Sequence, residues 1–175
     1  MNDPIDSPPT GPAYKALSLQ ITCHSVNAVA AGESRRLMRG SIERIGRAIA
    51  GSLTWTGGDT RLVVLPEYVL TGFPIGETVA EWRLKAGLEI DGAEYEALGR
   101  IAQDNRIYLA GNAYELDPHF PELYFQTSFI VGPNGDVLLR YRRLNSMYSP
   151  TPHDVWDRYL AIFGLEAVFP VIDTE

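Results

Sequence analysis

The chain has 175 residues, 45% of them apolar and 21% charged, with a net charge of -7 and a pI near 5.0. That is the composition of one ordinary soluble domain, long enough to hide roughly 70% of its unfolded surface, and its acidity argues against nucleic acid, which demands clustered Lys and Arg. A single cysteine, Cys23, excludes an intrachain disulfide and any multi-cysteine metal site and fits a reducing compartment, while no apolar run approaches the ~18 residues that would span a membrane.

The first residues, MNDPIDSPPTGP, carry neither the basic nor the apolar segment of a secretory signal, so a cytoplasmic location is expected. Their Pro, Asp and Ser content predicts a disordered tail over 1–15, followed by one domain over 16–175. Ala16 to Cys23 alternates Leu17, Leu19, Ile21 and Cys23, which predicts a first strand with Cys23 as a small core residue rather than a nucleophile. Glu33 to Ala50 reads as a helix whose Met38, Ile42, Ile45 and Ile49 share one face, and Ser52 to Thr60 reads as a loop.

Next comes Arg61 to Pro74, RLVVLPEYVLTGFP. Leu62 to Leu65 is a short continuous apolar run, the pattern of a strand buried on both faces, and Pro66 ends it because proline offers the ladder no N–H. Glu67 is then delivered by the C-terminal end of a strand, where open α/β sheets place their ligands. Burial there would make the carboxylate a proton acceptor near neutral pH; the plainer reading is a charged residue that faces water. Thr71-Gly72-Phe73-Pro74 supplies a tight turn over that position.

Further on, Glu77 to Lys85 reads as helical, and Asp91 with Glu94 reads as the capped start of another helix that ends in a left-handed Asn105. Ile107 to Tyr114 is a strand in which Gly111 marks a bulge or a close approach. Tyr124 to Val131 and Val137 to Tyr141 form a hairpin around Pro133-Asn134-Gly135-Asp136. A short helix over Asp154 to Phe163, capped by Asp154 or Thr151, and a strand over Ala167 to Val171 complete the pattern. An alternation that stops on a strand suggests an incomplete domain.

Motifs for phosphate loops, dinucleotides, zinc proteases and serine hydrolases are absent, and His24, His119 and His153 have no ligand spacing, so no metal or cofactor is expected. Two constellations remain: Glu67, and the cluster Arg140-Tyr141-Arg142-Arg143 after the hairpin. Three arginines there read either as a solvated strand edge or as a cation aimed at developing negative charge.

The strand ending Leu-Pro-Glu, the Thr-Gly-Phe-Pro loop, and the hairpin continuing into VLLRYRRL together resemble the carbon–nitrogen hydrolase (nitrilase) superfamily over about Ala16 to Thr174. The resemblance implies an α-β-β-α sandwich, here its N-terminal portion, truncated before the strand that carries the nucleophile. It implies hydrolysis of a small-molecule amide, nitrile or carbamoyl compound by a Glu–Lys–Cys triad; a sheet cut short leaves an unpaired edge and apolar faces, which predicts a homo-oligomer, and no cofactor, nucleic acid or membrane partner is expected. By that resemblance Glu67 is the general base, Arg143 stands at the lysine position, Asp154 is the nearest match to a second acid, and Tyr68 and Phe73 form pocket wall. The cysteine would follow Glu175, and Cys23 does not match it. Arginine for lysine is not a conservative exchange in a tight site, so the alternative is a catalytically silent relative serving binding or assembly. An unrelated ligand-binding α/β domain would instead place Glu67 and Arg143 on opposite sides of the sheet; the hydrolase reading places them within ~10 Å in one cleft.

Overall fold

The apolar runs of the sequence assemble into one mixed six-stranded sheet with two long helices on one of its faces, in a computed structural model that describes residues 13–174. The tail expected over 1–15 thus lies mostly outside the described residues. In chain order the elements are β1 Lys15–Ser18, α1 Ala31–Thr56, β2 Thr60–Val64, α2 Val79–Ala86, β3 Gly87–Glu89, α3 Ala93–Asn105, β4 Tyr108–Leu116, β5 Phe125–Val131, β6 Val137–Arg142, a 3-10 turn Pro152–Val155, and α4 Trp156–Phe163.

The sheet runs β1-β2-β4-β5-β6. β1, β2 and β4 are parallel, and β4, β5 and β6 are antiparallel. Because β5 occupies one side of β4 from Leu109 to Glu115, β2 and β3 must share the other side in tandem. β2 pairs with Tyr108–Ala110 and β3 with Tyr114–Leu116, so the chain leaving β2 enters the gap between them.

Strand alternation then sorts the two faces. Val63, Leu109, Ala113, Phe129 and Val131 are buried under Met38, Ile42, Ile45 and Ile49 of α1 and Tyr95, Leu98 and Ala102 of α3. Each large apolar side chain hidden there contributes about 1.5–3 kcal/mol against exposure. Gly99 lets α3 close onto the hairpin turn: a Cβ at that position would lie 2.6 Å from the Gly135 carbonyl oxygen. On the opposite face Val64 is 37% exposed and Leu62 half-buried. The expected burial of β2 on both faces is therefore wrong, because the described helices α1 and α3 cover only one.

Other expectations also change. α1 continues to Thr56, since nothing in Ser52–Thr56 stops it before Gly57 takes φ 93° as the C-cap. β1 ends at Ser18: its ladder runs out where β2 does, and Cys23 is exposed rather than core. Gly92, not Asp91, caps α3, and Glu94 instead pairs with Arg35 at 3.4 Å. The left-handed residue is Arg106, while Asn105 stays helical and bonds back to the Ile101 carbonyl at 2.8 Å. Gly111 is no bulge, since the β4–β5 register runs through it; its missing side chain makes room for the Phe129 ring, 2.8 Å from where a Cβ would sit. Ala167 to Val171 forms no strand, and Val168 instead plugs a second small core with Phe120, Phe125, Leu144 and Tyr159.

A Thr151–Asp154 capping box opens the 3-10 turn with Pro152 at its start, and α4 follows. No helix among the described residues is long and apolar enough to cross a membrane.

Candidate active site

Pro66 stops β2, and the chain turns out through the gap beside β4. Asn112, which faces that gap, accepts the Tyr68 backbone N–H at 2.9 Å on its side-chain oxygen. The Tyr68 carbonyl accepts from the N–H groups of Thr71 at 3.1 Å and Gly72 at 2.8 Å, and from the Cys23 thiol at 3.2 Å. These bonds over-determine a left-handed Tyr68, φ 60°, which costs energy in an aromatic residue. The outcome is that Glu67 and the Tyr68 ring are aimed at the open face of the sheet.

The Thr71–Pro74 turn is pinned from two sides. Val26 N–H donates to the Thr71 carbonyl at 2.9 Å, and Asn27 donates its side-chain N–H to the Phe73 carbonyl and to Glu77, both at 3.0 Å. Lys85 bonds the Asn27 carbonyl at 2.8 Å. Burial opposes ionisation of Glu77, yet the backbone N–H groups of Ile75 and Glu77, with Asn27 and Lys85, hold its carboxyl below the ordinary value. Phe73, 52% exposed, sits with its ring centroid 5.6 Å from that of Tyr68.

Across the groove, Arg143 follows the last residue of β6. Its Nη1 lies 3.9 Å from Glu67 Oε1, so the two charges share one cleft on one side of the sheet. Between them sits Gln126 of β5, whose Nε2 donates to Glu67 Oε1 at 2.9 Å while its Oε1 accepts from Arg143 Nη1 at 2.8 Å. The Tyr68 hydroxyl accepts from Arg143 Nη1 at 3.3 Å and donates to Gln126 Oε1 at 3.4 Å. Arg143 Nε is tied to the Asn145 carbonyl at 3.0 Å. Behind Tyr68 lies Tyr114, kept neutral first by burial and then by the neighbouring Tyr68, Tyr124 and Glu67.

Of the two readings of Glu67 the water-facing one holds: 59% of the Glu67 side chain and 46% of Arg143 are exposed, because the end of β2 opens onto the uncovered face. Asp154 stands apart from this network. Its Oδ2 accepts from the Thr151 N–H at 2.7 Å and hydroxyl at 2.9 Å, a helix-capping role. Gln126 and Asn112 were not singled out by sequence reasoning, since a lone amide in a strand carries no motif; only its facing in the hairpin reveals it. Among the described residues no three His, Cys, Asp or Glu side chains converge as a metal site.

Chemically, the cleft offers a solvent-reachable carboxylate, a guanidinium and an aromatic wall. The carboxylate and the guanidinium border a groove of about 460 Å³ floored by Val64, Ala110, Ile130 and Leu139, with the aromatic residues Phe129 and Tyr141 in its lining; Tyr68 and Phe73, expected as pocket wall, pack on each other outside that lining. A strand-end acid and a hairpin cation, facing each other on the open side of a mixed sheet, define an α/β protein with its polar site at the strand ends. The family model for carbon–nitrogen hydrolases matches residues 25–175, and the chain belongs to that family.

Relatives and solved structures agree with that assignment. The chain is 28% identical over 83 residues to a formamidase of Helicobacter acinonychis (strain Sheeba), covering 47% of this chain and 24% of that one. It is 25% identical over 154 residues to a formamidase of Bacillus cereus (strain B4264), covering 87% and 45%. Saccharomyces cerevisiae Nit3, a member of branch 10 of the nitrilase superfamily, superposes with a TM-score of 0.52 at 22% identity, over 62% of this chain and 40% of that one. An N-terminal amidase with an Asn-Glu peptide superposes with a TM-score of 0.57 at 17% identity, over 79% and 29%. At those identities the structures establish the fold, which is nitrilase-like. The chain spans less than half the length of these curated relatives.

Proposed function

We propose that this chain carries the acid and the cation of a carbon–nitrogen hydrolase that cleaves small amides, with formamide the first substrate to try. The observation that carries the reading is the placement of Glu67 and Arg143 3.9 Å apart at the mouth of one groove, on a chain whose relatives include formamidases. In this reading Glu67 takes the proton of a cysteine thiol, the thiolate attacks the amide carbon, and Arg143 faces the tetrahedral anion. Glu67 returns that proton to the amide nitrogen as the carbon–nitrogen bond breaks, ammonia leaves, and water hydrolyses the thioester. Cys23 is not that cysteine: its thiol donates to the Tyr68 carbonyl and no base is bonded to it. The nucleophile is assigned to a residue outside these 175, and the chain by itself is expected to release no ammonia. Nitriles and carbamoyl compounds are the other candidate substrates; the protein is proposed to work as a cytoplasmic homo-oligomer without a cofactor.

The second reading, a catalytically silent relative that binds or assembles, is favoured by Arg143 at the lysine position, where a planar fork replaces a compact ammonium. Ammonia release from formamide by protein expressed from the uninterrupted coding sequence separates the two. Glu67→Gln is expected to lower the rate by about 10²–10⁴-fold. A serine or alanine where the nucleophile should stand would end the hydrolase reading, and full activity in Glu67→Gln would end the assignment of Glu67 as its base.

A further inference from the structure

We infer that Gln126 is a positioning residue, a polar spacer that keeps Glu67 and Arg143 in one cleft but out of a direct ion pair; this rests on the functional reading of those two groups given above. Gln126 is 6% exposed, so its amide must find its partners inside the protein. Its two ends match the two charges: the N–H end meets the carboxylate at 2.9 Å and the carbonyl end meets the guanidinium at 2.8 Å. Turned the other way round, the amide would set oxygen against carboxylate and N–H against guanidinium, so a single orientation is favourable. The backbone adds a second tie, since Arg143 N–H donates to the Gln126 carbonyl at 2.9 Å.

The effect lies in what is left free. Two long, half-exposed side chains of opposite charge ordinarily close to a contact of about 2.7–2.9 Å, often through two parallel bonds. Here the closest approach is 3.9 Å. Glu67 Oε2 and Arg143 Nη2 have no hydrogen-bond partner among the described residues, which leaves the carboxylate an edge to accept a proton and the guanidinium an edge to meet an anion. A closed ion pair would occupy both edges. The other titratable groups around Glu67 are phenols: Tyr68 and Tyr114 beside it, and Tyr141 on the wall of the same groove.

The test starts with NMR of the 175-residue chain. A Gln126 side-chain amide proton is expected to sit downfield, to follow the titration of Glu67, and to return to a free-amide position in Glu67→Ala, a surface change that leaves the core intact. An amide signal indifferent to both pH and Glu67→Ala overturns the proposal, whether or not the protein hydrolyses anything. A crystal structure of Gln126→Leu is expected to show the carboxylate and guanidinium in direct hydrogen-bond contact; a separation still near 3.9 Å overturns it as well. In protein active on formamide, Gln126→Leu is expected to lower kcat by about 10²-fold with KM little changed, the cost of a misplaced base. If Glu67→Gln keeps full activity while the amide of the unsubstituted chain still follows Glu67, the assignment of Glu67 as base fails and the spacer stands.

Discussion

Arg142 turns its guanidinium into a cage of Phe125, Tyr159 and Phe163 and bonds Asp117 at 2.5 Å, whereas Arg143, one residue on, crosses to the other face and stands half in water beside Gln126 and Glu67. The side chain of Arg142 is 7% exposed and that of Asp117 1%; for Arg143 and Glu67 the values are 46% and 59%. The first pair staples α4 and the second small core to the end of β6. The second pair has little to hold together and keeps unbonded edges. The contrast teaches that burial, not charge or chain position, separates a structural arginine from one available for chemistry.

The largest expected effect tests the buried pair. Arg142→Ala or Asp117→Ala should each cost about 3–5 kcal/mol, because the partner is left as an uncompensated buried charge; urea denaturation of the 175-residue chain measures this. If both cost under 1 kcal/mol, the staple is an illusion and the comparison collapses. Acid should act at the same place. Burial raises the Asp117 carboxyl, but Arg142 and the His119 N–H outweigh it and hold the group below its ordinary 3.8. A lowered native pKa means that the stabilisation is fully present above that value and is lost as pH falls through the lower native one. The protection of α4 amides against hydrogen exchange, taken relative to the free-amide rate at each pH, should therefore fall on acidification before that of β4 does; simultaneous loss would deny α4 a staple of its own.

Smaller effects belong to the exposed pair. Arg143→Ala should change stability by only about 0–1 kcal/mol while abolishing whatever hydrolysis Glu67 supports. A stability loss comparable with that of Arg142→Ala would show that Arg143 is structural after all. Tyr68→Phe, which removes hydroxyl contacts of 3.3–3.4 Å and no charge, should cost about 0.5–1.5 kcal/mol; a larger loss would mean that the hydroxyl, and not only the Tyr68 backbone, fixes the loop.

Much of this contrast was invisible in the string Arg140-Tyr141-Arg142-Arg143, which reads as one basic cluster. The Asn-Gly turn predicts the hairpin, yet a regular ladder continued from the Val131–Val137 pair would set Gln126 opposite Arg142. The structure instead pairs Ile130 with Leu139 and Thr127 with Arg142, with Leu138 as the extra residue of a bulge. That slip of one residue places Arg143 on the face of Gln126 and Glu67 and sends Arg142 to Asp117. The residues left burial and exposure of Glu67 both open for a related reason: a run of apolar residues shows that a strand is hydrophobic and says nothing about which of its faces is covered.

From the amino acids alone came the α/β pattern, the core stripe of Met38, Ile42, Ile45 and Ile49, the hairpin, and a strand-end glutamate in a recognisable setting. These rest on local periodicity and turn chemistry, which neighbouring residues determine among themselves. The tertiary structure alone decided which arginine meets the glutamate, how exposed the pair is, and that an amide stands between them. Those outcomes depend on register and on layer coverage, and both are settled between segments far apart in the chain, where no short stretch of sequence holds the answer.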